Sequence, residues 1–318
     1  MRRLLLGLAA HVPVLDGWVV NRGTGGTDRA DYCYGVWLKH LTLLVAAGPR
    51  RVPESLAELG PGDSLGVGLA ALLCGTNVYR ALDVKRFAEP TRDERILDEL
   101  VELFSARAPR PTAGWPDFDE HLDGRLFPSA ILSDALLERT LAPERVEAIR
   151  RALHEGVSAD GSITIRCIVP WESVVPHPDD AVQLILSHSV LEHVRDLQRA
   201  ARASFRWLAP GGWASHQIDL TSHGLARAWN GAWGIRSEAY WRLLSEKRDC
   251  WINRQPASAQ LAALQDADFD VVRVRRRSRQ DGIPRKALAG RWRDLSDDDL
   301  TTSGLFVQAR RPGTRVAD

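Results

Sequence analysis

The sequence predicts an α/β fold built on a doubly wound, mostly parallel sheet, and three stretches carry that expectation. Ser55-Leu-Ala-Glu-Leu-Gly-Pro-Gly-Asp-Ser-Leu-Gly-Val-Gly68 is a short apolar run that ends in an acid, Glu58, and breaks into Gly60, Gly62, Gly66 and Gly68. An apolar helical stretch, Leu69 to Leu73, follows, and Leu82-Asp83 closes a second short strand. Strand, glycine turn, helix, strand and acid is the order of a nucleotide-type cofactor site. Val182 to Leu186 is continuously apolar, as a strand covered on both faces must be.

The glycine turn narrows the choice of cofactor. Glycines tolerate φ > 0 and let a ligand touch the main chain. Asp83, at a strand's carboxyl end, is placed to accept two hydrogen bonds from a ribose diol. A dinucleotide fingerprint needs a third glycine where this chain has Leu65, and Pro61 stands between the first two. That disfavours a nicotinamide-dependent oxidoreductase. There is no Gly-Lys-Ser/Thr, so a phosphate-cradling P-loop is excluded. An acid two residues before the first glycine suits a ligand that carries an ammonium group.

At these residues the chain resembles the class I S-adenosylmethionine-dependent methyltransferases. Their first motif, acid-x-Gly-x-Gly, is matched by Glu58, Gly60 and Gly62, and their ribose-binding acid by Asp83. Ala181-Val-Gln-Leu-Ile-Leu-Ser-His-Ser-Val-Leu-Glu-His-Val194 resembles the family's fourth strand and following helix. Phe205-Arg-Trp-Leu-Ala-Pro-Gly-Gly-Trp-Ala-Ser-His-Gln-Ile-Asp219 is similar to the Leu-x-Pro-Gly-Gly turn that leads into the fifth strand. The resemblance implies a seven-stranded, Rossmann-like sheet with an antiparallel last strand, and S-adenosyl-L-methionine as cofactor. It implies cofactor contacts at Glu58, Gly60, Pro61, Gly62, Asp83, Val84, Ile168, Trp171, Ser187 and His188.

Composition bounds the rest. A chain of 318 residues, 44% apolar and 26% charged, holds one large α/β domain with insertions or two modest ones. A net charge of +1 gives no global attraction to nucleic acid or acidic membranes. Cys33, Cys74, Cys167 and Cys250 are scattered without metal spacing and read as reduced thiols of a cytoplasmic protein. Two arginines before the apolar run Leu4 to Ala10 superficially suggest a signal peptide, but the run is short and is followed by His11, Pro13 and Asp16. Residues 1–30 are therefore expected to be a tail or short helix and linker, with one methyltransferase domain over 31–318.

Taken in order, Asp31 to Ala47 has helical apolar spacing through Tyr34, Trp37, Leu38, Leu41, Leu44 and Val45, and its aromatic face, with Tyr32, is expected to be core. A helical insertion spans about 84–160: Thr91 to Ala106, then Leu136 to Leu153, restarted by Pro143 at a first-turn position. Such an insertion at a strand's carboxyl end lies on the ligand side of the sheet. Ser162 to Val169 alternates as the third strand; where relatives carry an adenine-binding acid this chain has Cys167-Ile168, leaving backbone groups or Trp171 to substitute. A helix is expected from Leu191 to Trp207 and the fifth strand from Trp213 to Leu220. An aromatic cap follows over about 221–255, with Trp229, Trp233, Trp241 and Trp251, either locally packed or walling the acceptor pocket. Gln260 to Ala267 is the last expected helix; Phe269 to Val274 and Leu305 to Ala309 are the closing strands. The basic run Arg273 to Arg293 reads as a solvated edge strand and hairpin.

Methyl transfer from a sulfonium chiefly needs alignment, and a general base where the acceptor is an alcohol. His188, at the end of strand four, and Asp219 and His223, at the end of strand five, are the candidate catalytic residues; His216 faces the other way and is expected to be packed. Glu192-His193 matches the end of the Glu-x-x-Glu-His run that holds a metal in ubiquinone-pathway and small-RNA O-methyltransferases. Ser189 replaces its first glutamate, a neutral hydroxyl is a poor hard-cation ligand compared with a carboxylate, and no metal is expected. The function expected is methylation of a small-molecule acceptor at oxygen, a biosynthetic intermediate such as a sugar. The alternatives are a nucleic-acid methyltransferase using the basic 273–293 hairpin, and a cofactor-binding module without turnover.

Overall fold

The computed structural model describes residues 26–111, 121–122, 124, 126–245 and 251–313, so the expected N-terminal tail lies almost wholly outside the described residues. Strands β1 (Ser55–Leu59), β2 (Val78–Leu82), β3 (Thr164–Ile168), β4 (Val182–His188), β5 (Leu208–Asp219), β6 (Asp270–Ser278) and β7 (Thr302–Arg310) form one seven-stranded sheet. Its order is β3-β2-β1-β4-β5-β7-β6, and β7 alone runs antiparallel, against both β5 and β6. The chain leaves β1 toward β2 and β3 and returns to β4 on its other side. The carboxyl ends of β1 and β4 are thus the topological switch point, where ligands of open α/β sheets bind.

Alternation along the strands divides the core. Leu56, Leu184 and Leu186 face one side, covered by α1 (Ala30–Val45), α2 (Gly66–Leu73) and α3 (Pro90–Ser105); α4 (Asp134–Thr140) and α5 (Pro143–Glu155) extend that layer. Ala57, Leu59 and Ile185 face the other side, covered by α6 (Leu197–Trp207) and α8 (Ala257–Gln265), which follows α7 (Glu238–Ser245). Tyr34 belongs to the first core, its ring on Phe104 and its hydroxyl donating to the Ala108 carbonyl.

Two expectations are corrected. The helix does not start at Leu191. Leu191–His193 is a separate 3₁₀ turn, and α6 begins at Leu197 because the Asp196 side chain accepts the Arg199 N–H and caps it. The basic run starts on the edge strand, as expected, and Arg276, Lys286, Arg291 and Arg293 are exposed, but it is not solvated throughout. Arg273 donates to the Leu43 and Ala46 carbonyls at the end of α1, and Arg275 to the His121 carbonyl. Beyond β6, Leu288 and Trp292 are buried with Trp229 and Trp233, ahead of the short helix α9 (Asp297–Thr301). The stretch between β6 and β7 therefore builds the cap. Among the described residues no helix is long and apolar enough to cross a membrane.

Candidate functional site

The turn after β1 is shaped by two left-handed glycines, Gly60 at φ 62° and Gly62 at φ 76°. A Cβ on Gly60 would meet Val190 Cγ2 at 2.8 Å, so the loops after β1 and β4 touch at the switch point. Asp83 stands just past β2. Its carboxylate accepts the Val84 N–H at 2.7 Å and faces the Gly62 N–H, which ties the glycine turn to the neighbouring strand end, while burial raises its pKa. Pro61, Gly62, Leu65, Asp83, Cys167 and Val169 line a crevice across the ends of β1, β2 and β3.

The start of α2 is closed by the protein itself. Its first N–H groups go to Asp93 Oδ1 from Leu65 (2.8 Å), to Ser64 Oγ from Gly66 (3.1 Å) and to Glu58 from Gly68. A pyrophosphate needs those N–H groups free and finds two carboxylates instead. Glu58, expected to face the cofactor, is buried, and it also accepts the Tyr79 hydroxyl at 2.7 Å. It caps the helix and fixes the turn from below. Gly68 makes this possible: a Cβ there would lie 2.1 Å from Tyr79 Cζ. Helix–strand packing, the role of a fingerprint's third glycine, is moved to position 68, which the motif spacing did not reveal.

Burial raises the Glu58 carboxyl from its ordinary 4.5 to about 8, outweighing the Tyr79 hydrogen bond. The folded value lies above the unfolded one, so this group's contribution to stability is complete below 4.5 and is lost as pH rises through about 8. Urea unfolding of wild type should therefore show stability falling with pH across that window, by at most about 1.4 kcal/mol per unit from this group. Glu58→Gln should flatten the curve; equal slopes in both proteins would contradict the assignment.

Other expected contacts separate by face. Ser187 is fully buried, its Oγ 2.8 Å from His216 Nδ1 on the α6/α8 side, so its side chain does not line the crevice. Burial holds His216 at about 4, neutral and packed, as expected. Trp171 is buried with Leu59, Leu82 and Leu191 and is core rather than an adenine platform. Ile168 meets the site through its main chain: its carbonyl accepts the Asp83 N–H at 3.2 Å. Val84 is exposed beside it.

His188 lies on the α1 side, its ring edge-on to Tyr32, with Nδ1 3.2 Å from His40 Nε2. His40 Nδ1 is in turn 2.8 Å from Ser215 Oγ. Burial, and then the neighbouring ring and the buried Lys39, hold His188 well below the usual imidazole range. Nothing in the local sequence marked His40 as its partner; a helix and a strand far apart in the chain bring them together.

Register pairs His188 with Gln217, so Asp219 lies two residues further along β5 on the same face. There the main chain turns: Asp219 Oδ1 accepts the Thr221 N–H at 2.8 Å, and His223 adopts φ 45°. His223 Nε2 comes within 3.5 Å of Asp219 Oδ2 and 3.9 Å of Glu192 Oε1, and its ring meets His193 edge-on. Burial and the adjacent Asp219 raise Glu192 well above the carboxylate range, and burial lowers His193. A crevice beside this cluster is lined by Thr221, Asn230, Trp233, Asn253 and Arg254. Trp233 packs on Trp229 and Trp292 and also lines this crevice.

The family described as Methyltransferase domain matches residues 92–274, more than half of the chain, from α3 into β6. Phosphoethanolamine N-methyltransferase 2 of Haemonchus contortus, solved with S-adenosyl-L-methionine, is 14% identical with a TM-score of 0.43; the match covers 87% of this chain and 53% of that protein, so this chain spans about half its length. An S-adenosylmethionine-dependent methyltransferase of Mesorhizobium loti is 15% identical with a TM-score of 0.42, over 86% of this chain and 98% of that one. No curated protein matches the chain. With the domain match over more than half of the chain, and a seven-stranded sheet of this order, the chain belongs to the class I S-adenosylmethionine-dependent methyltransferase family.

Proposed function

We propose that this protein transfers a methyl group from S-adenosyl-L-methionine to a hydroxyl of a small-molecule acceptor in the cytoplasm. The observation that carries the reading is the Asp219–His223 pair at the carboxyl end of β5, of which Asp219 lines a crevice shared with Asn230, Trp233 and Arg254. A neutral hydroxyl is a poor nucleophile, and a carboxylate–imidazole pair beside it can receive its proton.

The cofactor suits the other half of the site. Gly60, Pro61 and Gly62 offer bare main chain, Asp83 a ribose-binding carboxylate, Val84 and Ile168 an adenine edge, and His188 a neutral ring near the methyl. The bound cofactor supplies a methyl already activated on a sulfonium. The protein then has to align the acceptor in line with it and exclude water, which alone supplies several kcal/mol. The arginines engaged with carbonyls at the edge of the sheet weigh against a nucleic-acid acceptor.

The test is transfer of labelled methyl to a panel of hydroxylated metabolites, with product analysis by mass spectrometry. Asp219→Asn should lower turnover roughly 100-fold or more with cofactor affinity unchanged. Methyl recovered on nitrogen or in RNA, cofactor binding with no product across the panel, or full turnover by Asp219→Asn would each overturn the reading.

A further inference from the structure

Glu192, His193 and His223 bring three ligand-type atoms within 4.8 Å of one another, from two loops that meet where β4 and β5 end. Their hydrogen bonds settle which atoms face inward. His193 Nδ1 is 2.5 Å from the Trp251 carbonyl and His223 Nδ1 is 3.0 Å from the Thr221 carbonyl. A carbonyl only accepts, so each Nδ1 carries a hydrogen, which leaves Nε2 of each ring as the ligand atom on the side of the centre. This is how a protein orients imidazoles for a metal, the far nitrogen anchored to the main chain.

The carboxylates face the same centre. Glu192 is 2% exposed; its Oε1 accepts the Asp219 N–H at 3.2 Å, and its Oε2, buried, has no hydrogen-bond partner among the described residues. A buried acceptor without a donor is costly, and more so beside other lone pairs. Protonating His223 does not resolve this: its Nε2 stands 3.5 and 3.9 Å from the two carboxylates, beyond hydrogen-bond length. His223 is also held at φ 45°, a left-handed conformation uncommon outside glycine. Converging lone pairs are satisfied together by one cation.

The geometry points to a divalent transition-metal site made by Glu192, His193 and His223, with Asp219 alongside. Two imidazoles and a carboxylate suit the series from Mn²⁺ to Zn²⁺ rather than Ca²⁺ or Mg²⁺, which prefer all-oxygen shells. Three protein ligands leave coordination positions open toward the crevice of Thr221, Asn230 and Trp233. The metal's role rests on the methyl-transfer reading above. A hydroxyl of the acceptor drawn to the ion loses its proton to Asp219. Its oxygen then forms the new O–C bond as the sulfonium C–S bond breaks, leaving an ether and a neutral thioether.

The experiment titrates the full chain, stripped with EDTA, with Co²⁺ while following its visible absorption and binding heat, and measures S-adenosylmethionine binding in parallel. One equivalent of Co²⁺ should bind. His223→Gln and Glu192→Gln should each weaken that binding roughly 100-fold or more, with cofactor binding retained as proof of folding. No saturable Co²⁺ binding by wild type, or unchanged affinity in a variant that still binds the cofactor, overturns the site. Metal binding without methylated product would leave the site standing and sink the transfer reading. Full turnover by metal-free protein would leave the transfer reading standing and overturn the role given to the ion.

Discussion

Gly68→Ala is expected to destabilise the protein by roughly 3–5 kcal/mol, from overpacking together with a buried carboxyl stripped of its donor. The added methyl would lie 2.1 Å from Tyr79 Cζ, inside the ring and not at the end of a flexible chain. Tyr79 is fully buried between α2 and β2 and cannot move aside without taking its hydroxyl from Glu58. Alanine is the better helix former by about 1 kcal/mol, which does not offset that loss. Gly290→Ala is the control, since its Cβ would meet nothing within 4 Å. Urea denaturation should separate the two variants clearly, with Gly290→Ala within about 0.5 kcal/mol of wild type. Equal midpoints would mean that the packing of α2 on β2 is wrong.

The sequence showed most of the sheet because each central strand is a local signal. Leu56 to Leu59 and Val182 to Leu186 are apolar runs bounded by turns, and both became strands. Side-chain partners were harder, because they depend on faces brought together by topology. Ser187 and His188 are adjacent in sequence, yet one bonds to His216 beneath the sheet and the other to His40 above it. Glu58 read as a ligand contact because an acid before a glycine turn looks the same whether it meets a ligand or caps the next helix. Only the Tyr79 and Gly68 contacts distinguish the two. One error was avoidable: Asp196, just before the apolar period of α6, is an N-cap signal and marks where that helix starts. The cluster at Glu192 could not be assembled from spacing, since His223 comes from beyond the next strand.

Asp83→Ala is expected to weaken S-adenosylmethionine binding about 100-fold, the loss of two hydrogen bonds to a partly buried carboxylate. The substitution also removes the acceptor for the Val84 N–H and the tie to Gly62, so part of the loss comes through the glycine turn. Asp83→Asn keeps one acceptor oxygen and should fall between the two, which separates ribose recognition from collapse of the loop.

Calorimetry of S-adenosylmethionine against wild type, Asp83→Asn and Asp83→Ala therefore tests the central claim most directly. The account predicts one site per chain, affinity falling in that order, and no heat from a nicotinamide dinucleotide, whose pyrophosphate would meet the carboxylates at the start of α2. Undiminished binding by Asp83→Ala, or saturable binding of the dinucleotide, would contradict it.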